Sequence, residues 1–342
     1  MKDGVYYSDY LQLDKILDAQ ALESDRPDQA HAHDEMLFIV IHQSYELWFK
    51  QVLYEVGSVM DIFSKSEIAD NSPDLYMVHH RLKRVVSIMH MLAGKIDIIE
   101  TMTPLDFLDF RDLLRPASGF QSIQFKMLEA KLGLKMENRH GQEYYISQLR
   151  PEDAQTVRDA EKTKPLIALI NEWLERMPFL DDPKYWHGAD VNIDSFWQKY
   201  KEIYSASLAD GEKNNINVFE SQLLSAETKP EWALSPKARR AALFIMLYRD
   251  YPILQLPFGM LNVLLEIDEA ISIWRYRHMS MVHRIIGMRT GTGGSTGKDY
   301  LSGALQKHHI FAEFAGLTSF LIERNKLPQL SKELREKLGY TS

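Results

Sequence analysis

The chain has 342 residues, 45% of them hydrophobic, which is enough for one large domain or two ordinary ones with a sizeable core. A formal net charge of −8 argues against a nucleic-acid surface, which would show a basic stripe or patch, and points to small-molecule or protein partners. The absence of cysteine excludes disulfides, iron–sulfur clusters, thiolate nucleophiles and a cysteine-ligated haem, so any bound iron must be held by His, Tyr, Met or carboxylate, with 12 histidines as the main inventory. No apolar run approaches the length of a membrane span, and Met1 to Gly4 lack the apolar stretch of a secretion signal. A soluble, cytoplasmic protein is expected.

Nearly every long segment reads as helix. Residues 34–63 form an apolar-rich run without proline, and a second run opens at Ser72 and Pro73 and lasts to about Glu100. On the first of these, Phe38, His42, Tyr45 and Phe49 share one face. Leu37, Ile41 and Trp48 make other faces apolar too, so His42 reads as an inward imidazole. It is either a satisfied core histidine or a functional one. His31 and His33 sit at the start of this helix, where Asp34 serves as an N-cap or first-turn acid, and a capping role is expected there rather than a metal site.

A third helix begins at Pro104 and ends near Arg115. Phe107, Arg111 and Leu114 share its face, which sets a guanidinium among apolar groups. Arg111 either pairs with an acid such as Asp112 or grips a substrate carboxylate. Residues 116–119 break this helix, and the next runs from about Phe120 to Leu132, stopping at Gly133. Residues 151–177 and 193–207 are helical in period. Residues 206–236 are polar and broken, an irregular excursion between helices rather than a linker. Residues 237–251, a long helix from about Leu264 to Gly287, and a helix from about Asp299 to Arg324 complete the chain. With no alternating strand pattern and no internal repeat, an all-α fold in a single helical-bundle domain is expected.

The long helix carries the sharpest signal. Ile267, Ile271, Trp274, Met281 and Ile285 recur at steps of three and four and mark one buried face. His278 falls on that stripe, and a polar ring there needs a partner: a backbone carbonyl, a carboxylate, a metal or a haem iron. His283 falls off the stripe and should play no part. The pairs His79, His80 and His308, His309 read as surface residues.

Directly after this helix, residues 289–298 are rich in glycine and hydroxyls. A phosphate loop would need Gly where Thr292 stands and Ser or Thr where Asp299 stands; the dinucleotide fingerprint would need Gly at Thr296. Both also demand a preceding strand, whereas a helix precedes. What remains is a flexible linker, or a loop able to wrap a small charged ligand beside His278.

Four blocks, residues 7–14, 33–48, 110–122 and 274–297, resemble the tryptophan 2,3-dioxygenases, a family of tetrameric haem enzymes. The resemblance implies haem b as cofactor, L-tryptophan and O₂ as substrates, N-formyl-L-kynurenine as product and a homotetramer built as a dimer of dimers. It makes His278 the proximal haem ligand, with Ser118 and Trp274 near the haem, and His42 the distal histidine that meets the indole N–H. Phe38, Phe107 and Leu114 would line the indole pocket, Arg111 would hold the substrate carboxylate, and Thr292 would meet its ammonium and carboxylate end. Tyr7, Tyr10 and Leu11, in an N-terminal arm over residues 1–33, would reach a neighbouring subunit's site. Some bacterial members carry Tyr where Phe107 stands, so the carboxylate grip here rests on Arg111 and Thr292. The rival readings are a related haem enzyme that hydroxylates an indole or aromatic amino acid, a haem sensor without catalysis, and a helical scaffold with two satisfied core histidines.

Overall fold

In the computed structural model, the described residues are 4–65, 73–134, 146–181, 185–186, 193–287, 289 and 308–339. Among them the only regular structure is helical, as the sequence leads one to expect. The elements used below are α1 (Tyr7–Leu11), α2 (Leu13–Leu17), α3 (Asp34–Phe63), α4 (Pro73–Gly94), α5 (Ile96–Ile99), α6 (Pro104–Arg111), α7 (Ile123–Leu132), α8 (Pro151–Lys162), α9 (Leu166–Glu175), α10 (Ile193–Ser207), α11 (Asn215–Phe219), α12 (Pro236–Leu247), α13 (Pro252–Ile286), α14 (Ala312–Leu317) and α15 (Lys332–Leu338). None of these helices is long and apolar enough to cross a membrane.

Helices α3 and α13 both pack on α4. The α4 face that receives them is a run of buried Leu75, Val78, Leu82, Val85, Val86, Met89 and Leu92, spaced at three and four residues so that one stripe serves both neighbours. Close approach of α13 is helped by Gly259, where a Cβ would come within 3.3 Å of His79 Nε2. Charged clamps flank the packing: Arg84 on α4 pairs with the buried Glu55 of α3 at 2.6 Å, and Lys83 with Glu266 of α13 at 2.6 Å. With α4 as the common floor and α7 against α3, the facing sides of α3 and α13 are left to enclose the site described below.

Several boundaries differ from the sequence reading, each for a local reason. The long helix begins at Pro252, twelve residues before the stripe was expected to open, with Pro252 at the first helical position where a missing N–H costs nothing. Pro257 lies inside it, and burial of Leu254, Pro257, Met260 and Leu261 outweighs the lost backbone bond. The helix expected over 151–177 is two, α8 and α9, divided at Pro165. The segment near Phe120 opens with a 3₁₀ turn over Gly119–Gln121 before α7 starts under its own cap, Ser122 Oγ accepting from Phe125 N at 3.4 Å. Of the helix expected over 299–324, residues 299–307 lie outside the described set and α14 ends at Leu317.

The excursion at 206–236 is less irregular than its composition suggests. Ala206 and Ser207 close α10, and α11 is followed by a π-helical turn over Glu220–Leu224. Phe219 is fully buried, with its ring 5.3 Å from Tyr204, 6.0 Å from Tyr200 and 5.5 Å from Phe320. Tyr200, Tyr204 and Tyr248 donate to the carbonyls of Phe320, Ser319 and Pro328, so this aromatic layer holds the C-terminal segment in place.

The N-terminal arm divides in two. Helices α1 and α2 bury no residue, whereas from Glu23 onward the chain is docked: the carboxylate of Glu35 accepts from Glu23 N and Ser24 N at 2.8 and 2.9 Å. Asp34 lies in the first turn of α3, the capping position being His33.

Candidate active site

His42 and His278 enter one region from two helices. An apolar cluster of Ile41, Ile96, Ile99, Met102, Phe107, Phe110, Met281 and Ile285 surrounds it, joined by Phe38, Tyr45, Leu114 and Trp274. A side chain placed there sees little water, and both imidazoles are shifted accordingly. Burial holds His42 below the ordinary histidine value, against smaller opposing effects of the Phe38 carbonyl and Glu46. Burial pushes His278 down to about 4, with the charge of His42 adding to the same direction, so the two rings feel one another. Both imidazoles are neutral near pH 7.

Their hydrogen bonding then decides what each can offer. His42 Nδ1 lies 2.7 Å from the carbonyl oxygen of Phe38, one turn earlier. A carbonyl only accepts, so Nδ1 carries the hydrogen and Nε2 keeps its lone pair. His278 Nδ1 is buried without a hydrogen-bond partner. Such an atom costs about 1–3 kcal/mol unless something bound supplies its satisfaction or orders the ring for another purpose. The ring is held nearly parallel to Trp274, centroids 5.2 Å apart at 12°. Trp274 is itself wedged against Phe125 at 4.8 Å, Phe49 at 5.9 Å and Tyr45 at 6.3 Å. Tyr45 donates to the Leu92 carbonyl at 3.1 Å. The carboxylates of Asp97 and Glu100 lie 2.6 and 3.6 Å from Arg277, the residue before His278, and clamp α13 to the α5 region.

Among the described residues no three His, Asp or Glu side chains converge as a bare cation requires. Neutral imidazoles in aromatic and aliphatic surroundings fit instead an iron that brings most of its own ligands, such as a haem, which His278 would hold.

The walls beside His42 are aromatic. Phe38 lies 4.1 Å from the His42 ring, 5.7 Å from Phe107 and 5.5 Å from Phe110, and Phe107 meets Phe110 edge-on at 5.4 Å and 90°. Helix α6 presents these rings because Thr103 and Asp106 form a reciprocal capping box and Pro104 fixes the first turn. Arg111, at its last position, is 5% exposed, and Leu114 follows on a 3₁₀ turn in the same cluster. Of the residues expected from the sequence, Phe38, His42, Phe107, Leu114, Trp274 and His278 lie in or against this cluster, and Arg111 is buried on the same helix as Phe107. Sequence reasoning did not name Phe110, Phe125 or Met102; Phe110 stands three residues from Phe107, and that helical spacing was its available signal.

Ser118 is half-buried on the turn between α6 and α7, where its hydroxyl accepts from Phe120 N at 3.3 Å. Tyr7 and Tyr10 are 71% and 74% exposed, and Leu11 36%. Thr292 lies outside the described residues. His283 is exposed, as its register predicts. His308 departs from expectation: it is 3% exposed, with Nδ1 3.5 Å from the carboxylate of Glu129, a partner 179 residues earlier that no local pattern reveals.

A family model described as tryptophan 2,3-dioxygenase matches residues 1–321. A protein of Bdellovibrio bacteriovorus named tryptophan 2,3-dioxygenase is 39% identical over 98% of this chain and 98% of its own. One of the same name from Alteromonas mediterranea is 40% identical over 98% and 97%, and tryptophan 2,3-dioxygenase B of Danio rerio is 40% identical over 100% and 88%.

Proposed function

The chain belongs to the tryptophan 2,3-dioxygenase family and is an oxidoreductase that adds dioxygen to tryptophan, and from that premise we propose how its own residues do so. Haem b is held through His278. When bound, it supplies the redox-active iron that lets O₂ react with a closed-shell indole.

The protein's part is largely to bind and orient. The flat indole of L-tryptophan lies against Phe38, Phe107, Phe110 and Leu114, which exclude water and reward a planar apolar ligand. Its N–H donates to His42 Nε2, the nitrogen left with a lone pair by the Phe38 hydrogen bond. Indole N–H is a poor acid, so orientation is the main role of that contact. Arg111 pairs with the substrate carboxylate as a guanidinium fork, and Thr292 meets the ammonium and carboxylate end. With both ends fixed, C2 and C3 are the atoms presented to oxygen. The C2–C3 bond breaks and each carbon takes one oxygen atom, giving N-formyl-L-kynurenine without net consumption of a reductant.

A homotetramer in the cytoplasm, a dimer of dimers, completes the reading. What supports the assembly is the uncovered apolar surface of α1, α2 and the two residues before them, where Val5, Tyr6, Tyr7, Tyr10 and Leu17 are each more than 70% exposed. Tyr7, Tyr10 and Leu11 reach a neighbouring subunit's site from there.

The observation that carries the proposal is the buried, partnerless Nδ1 of His278 facing the same cluster as a neutral His42. Replacing His278 by Ala and titrating with haem tests it: loss of the haem absorption band, with its return on adding imidazole, is expected, and full haem binding by the variant contradicts it.

A further inference from the structure

The face of α3 that carries His42 also carries Phe38, Tyr45 and Phe49, and of these three rings only Tyr45 bears a hydroxyl. The substrate reading above makes no use of it. Its O–H donates to the carbonyl oxygen of Leu92 at 3.1 Å, a partner 47 residues away. Leu92 stands two residues before the end of α4, where helix carbonyls run out of helical donors. Lys95, just beyond that end, donates to the Ser44 hydroxyl at 3.3 Å. The corner between α4 and α5 is thus tied to α3 at two successive residues, Ser44 and Tyr45. Burial pushes the Tyr45 hydroxyl up to about 12, against smaller opposing effects of Trp274 and Arg277, so it keeps its hydrogen at ordinary pH.

Both ends of Tyr45 act on the helix that carries His278. Its ring meets Trp274 edge-on, centroids 6.3 Å apart at 71°, and Trp274 lies nearly parallel to His278 one turn later. Its hydroxyl fixes the corner from which Asp97 and Glu100 hold Arg277, the residue before His278. A ligand imidazole is usually oriented by a hydrogen bond to its second nitrogen. His278 Nδ1 has no such partner among the described residues, which leaves packing to set the direction of the ring. The packing comes through Trp274 and Arg277, and Tyr45 supports both.

We propose that Tyr45 is a positioning residue for His278: by bracing Trp274 with its ring and the α4–α5 corner with its hydroxyl, it fixes the direction in which the imidazole faces a bound haem. This rests on the reading of His278 as the haem ligand given above.

The test compares the haem-loaded ferric parent, Tyr45→Phe and Trp274→Leu, each with azide added, by electron paramagnetic resonance. The g values of a low-spin ferric haem follow the direction of the axial ring, which a loss of stability alone does not change. The parent should give one sharp set. Tyr45→Phe removes the hydroxyl alone and Trp274→Leu removes the stacked ring, and both should give shifted, split or broadened sets with haem content unchanged. Lines in Tyr45→Phe identical to those of the parent overturn the proposal, whatever Trp274→Leu does. Should Tyr45→Phe fail to accumulate folded, Asp97→Asn, which alters an exposed carboxylate, tests the arm through Arg277, and unchanged lines there overturn the proposal equally. Resonance Raman of the reduced enzyme separates the two levels. An iron–histidine band in the parent that is lost in His278→Gly, together with unmoved azide lines in Tyr45→Phe, means that the proposal alone fails; a band that persists in His278→Gly, or is missing from the parent, means that the reading of His278 fails as well.

Discussion

His42 Nδ1 donates to the carbonyl oxygen of Phe38 across 2.7 Å, so the rest of the ring faces the site with one bare lone pair. That relationship makes the histidine an acceptor for an N–H and leaves it no ring hydrogen to give at Nε2.

A direct consequence concerns the indole nitrogen. His42→Ala should lower kcat/KM for L-tryptophan by about 10- to 100-fold, the value of one buried hydrogen bond, while haem stays bound. 1-Methyltryptophan has no N–H to donate, so its kcat/KM should change little on the same substitution. Equal losses for both substrates would remove the hydrogen bond from the account.

The pH profile follows from the direction of the His42 shift. Burial holds its pKa below the ordinary value of about 6.5, so the folded ring stays neutral as pH falls through 6.5 while the unfolded ring takes a proton. Activity that needs the Nε2 lone pair should therefore be flat from pH 8 down past about 6.5 and fall only on the acid side. By the same linkage, this group lowers stability as pH drops below 6.5. A kcat/KM profile with its acid limb centred above 6.5 would contradict the shift.

Arg111 is 5% exposed and closes α6, the helix that also carries Phe107 and Phe110. Arg111→Lys keeps the charge and loses the fork, and should raise KM for L-tryptophan by about tenfold; Arg111→Ala should raise it by about 100-fold. Tryptamine, which lacks the carboxylate, should respond to neither. An unchanged KM in both variants takes Arg111 out of the carboxylate site.

Phe110 is fully buried and meets both Phe38 and Phe107. Phe110→Ala should destabilise the fold by about 3–5 kcal/mol, since it removes a fully buried ring and leaves a cavity that its packed neighbours fill only in part. Denaturant unfolding measures it, and a loss below about 1 kcal/mol would show that the site wall is not a packed unit.

Most of the architecture was legible in the sequence because it rests on short-range periodicity. The stripe from Ile267 to Ile285 fixed both the helix and the inward direction of His278, and Phe38, His42 and Tyr45 did the same for the facing helix. The misreadings came from two sources. Prolines 252 and 257 look like breakers when tertiary burial is not visible, whereas Pro165, inside an otherwise helical period, does end one helix and cap the next. Partners far apart in the chain were invisible: Glu129, Arg275 and His308 form one buried cluster across 179 residues, so His308 looked like a surface residue. The residue roles came from resemblance rather than spacing, since nothing in a helical period separates an iron ligand from a buried histidine.

The account is tested most directly by one turnover of the reduced haem-loaded enzyme with L-tryptophan under ¹⁸O₂, followed by mass analysis of the product. It predicts N-formylkynurenine carrying both labelled oxygen atoms, with no further reductant consumed. A hydroxylated indole carrying a single labelled atom, or tryptophan recovered unchanged beside a fully formed haem complex, would contradict it.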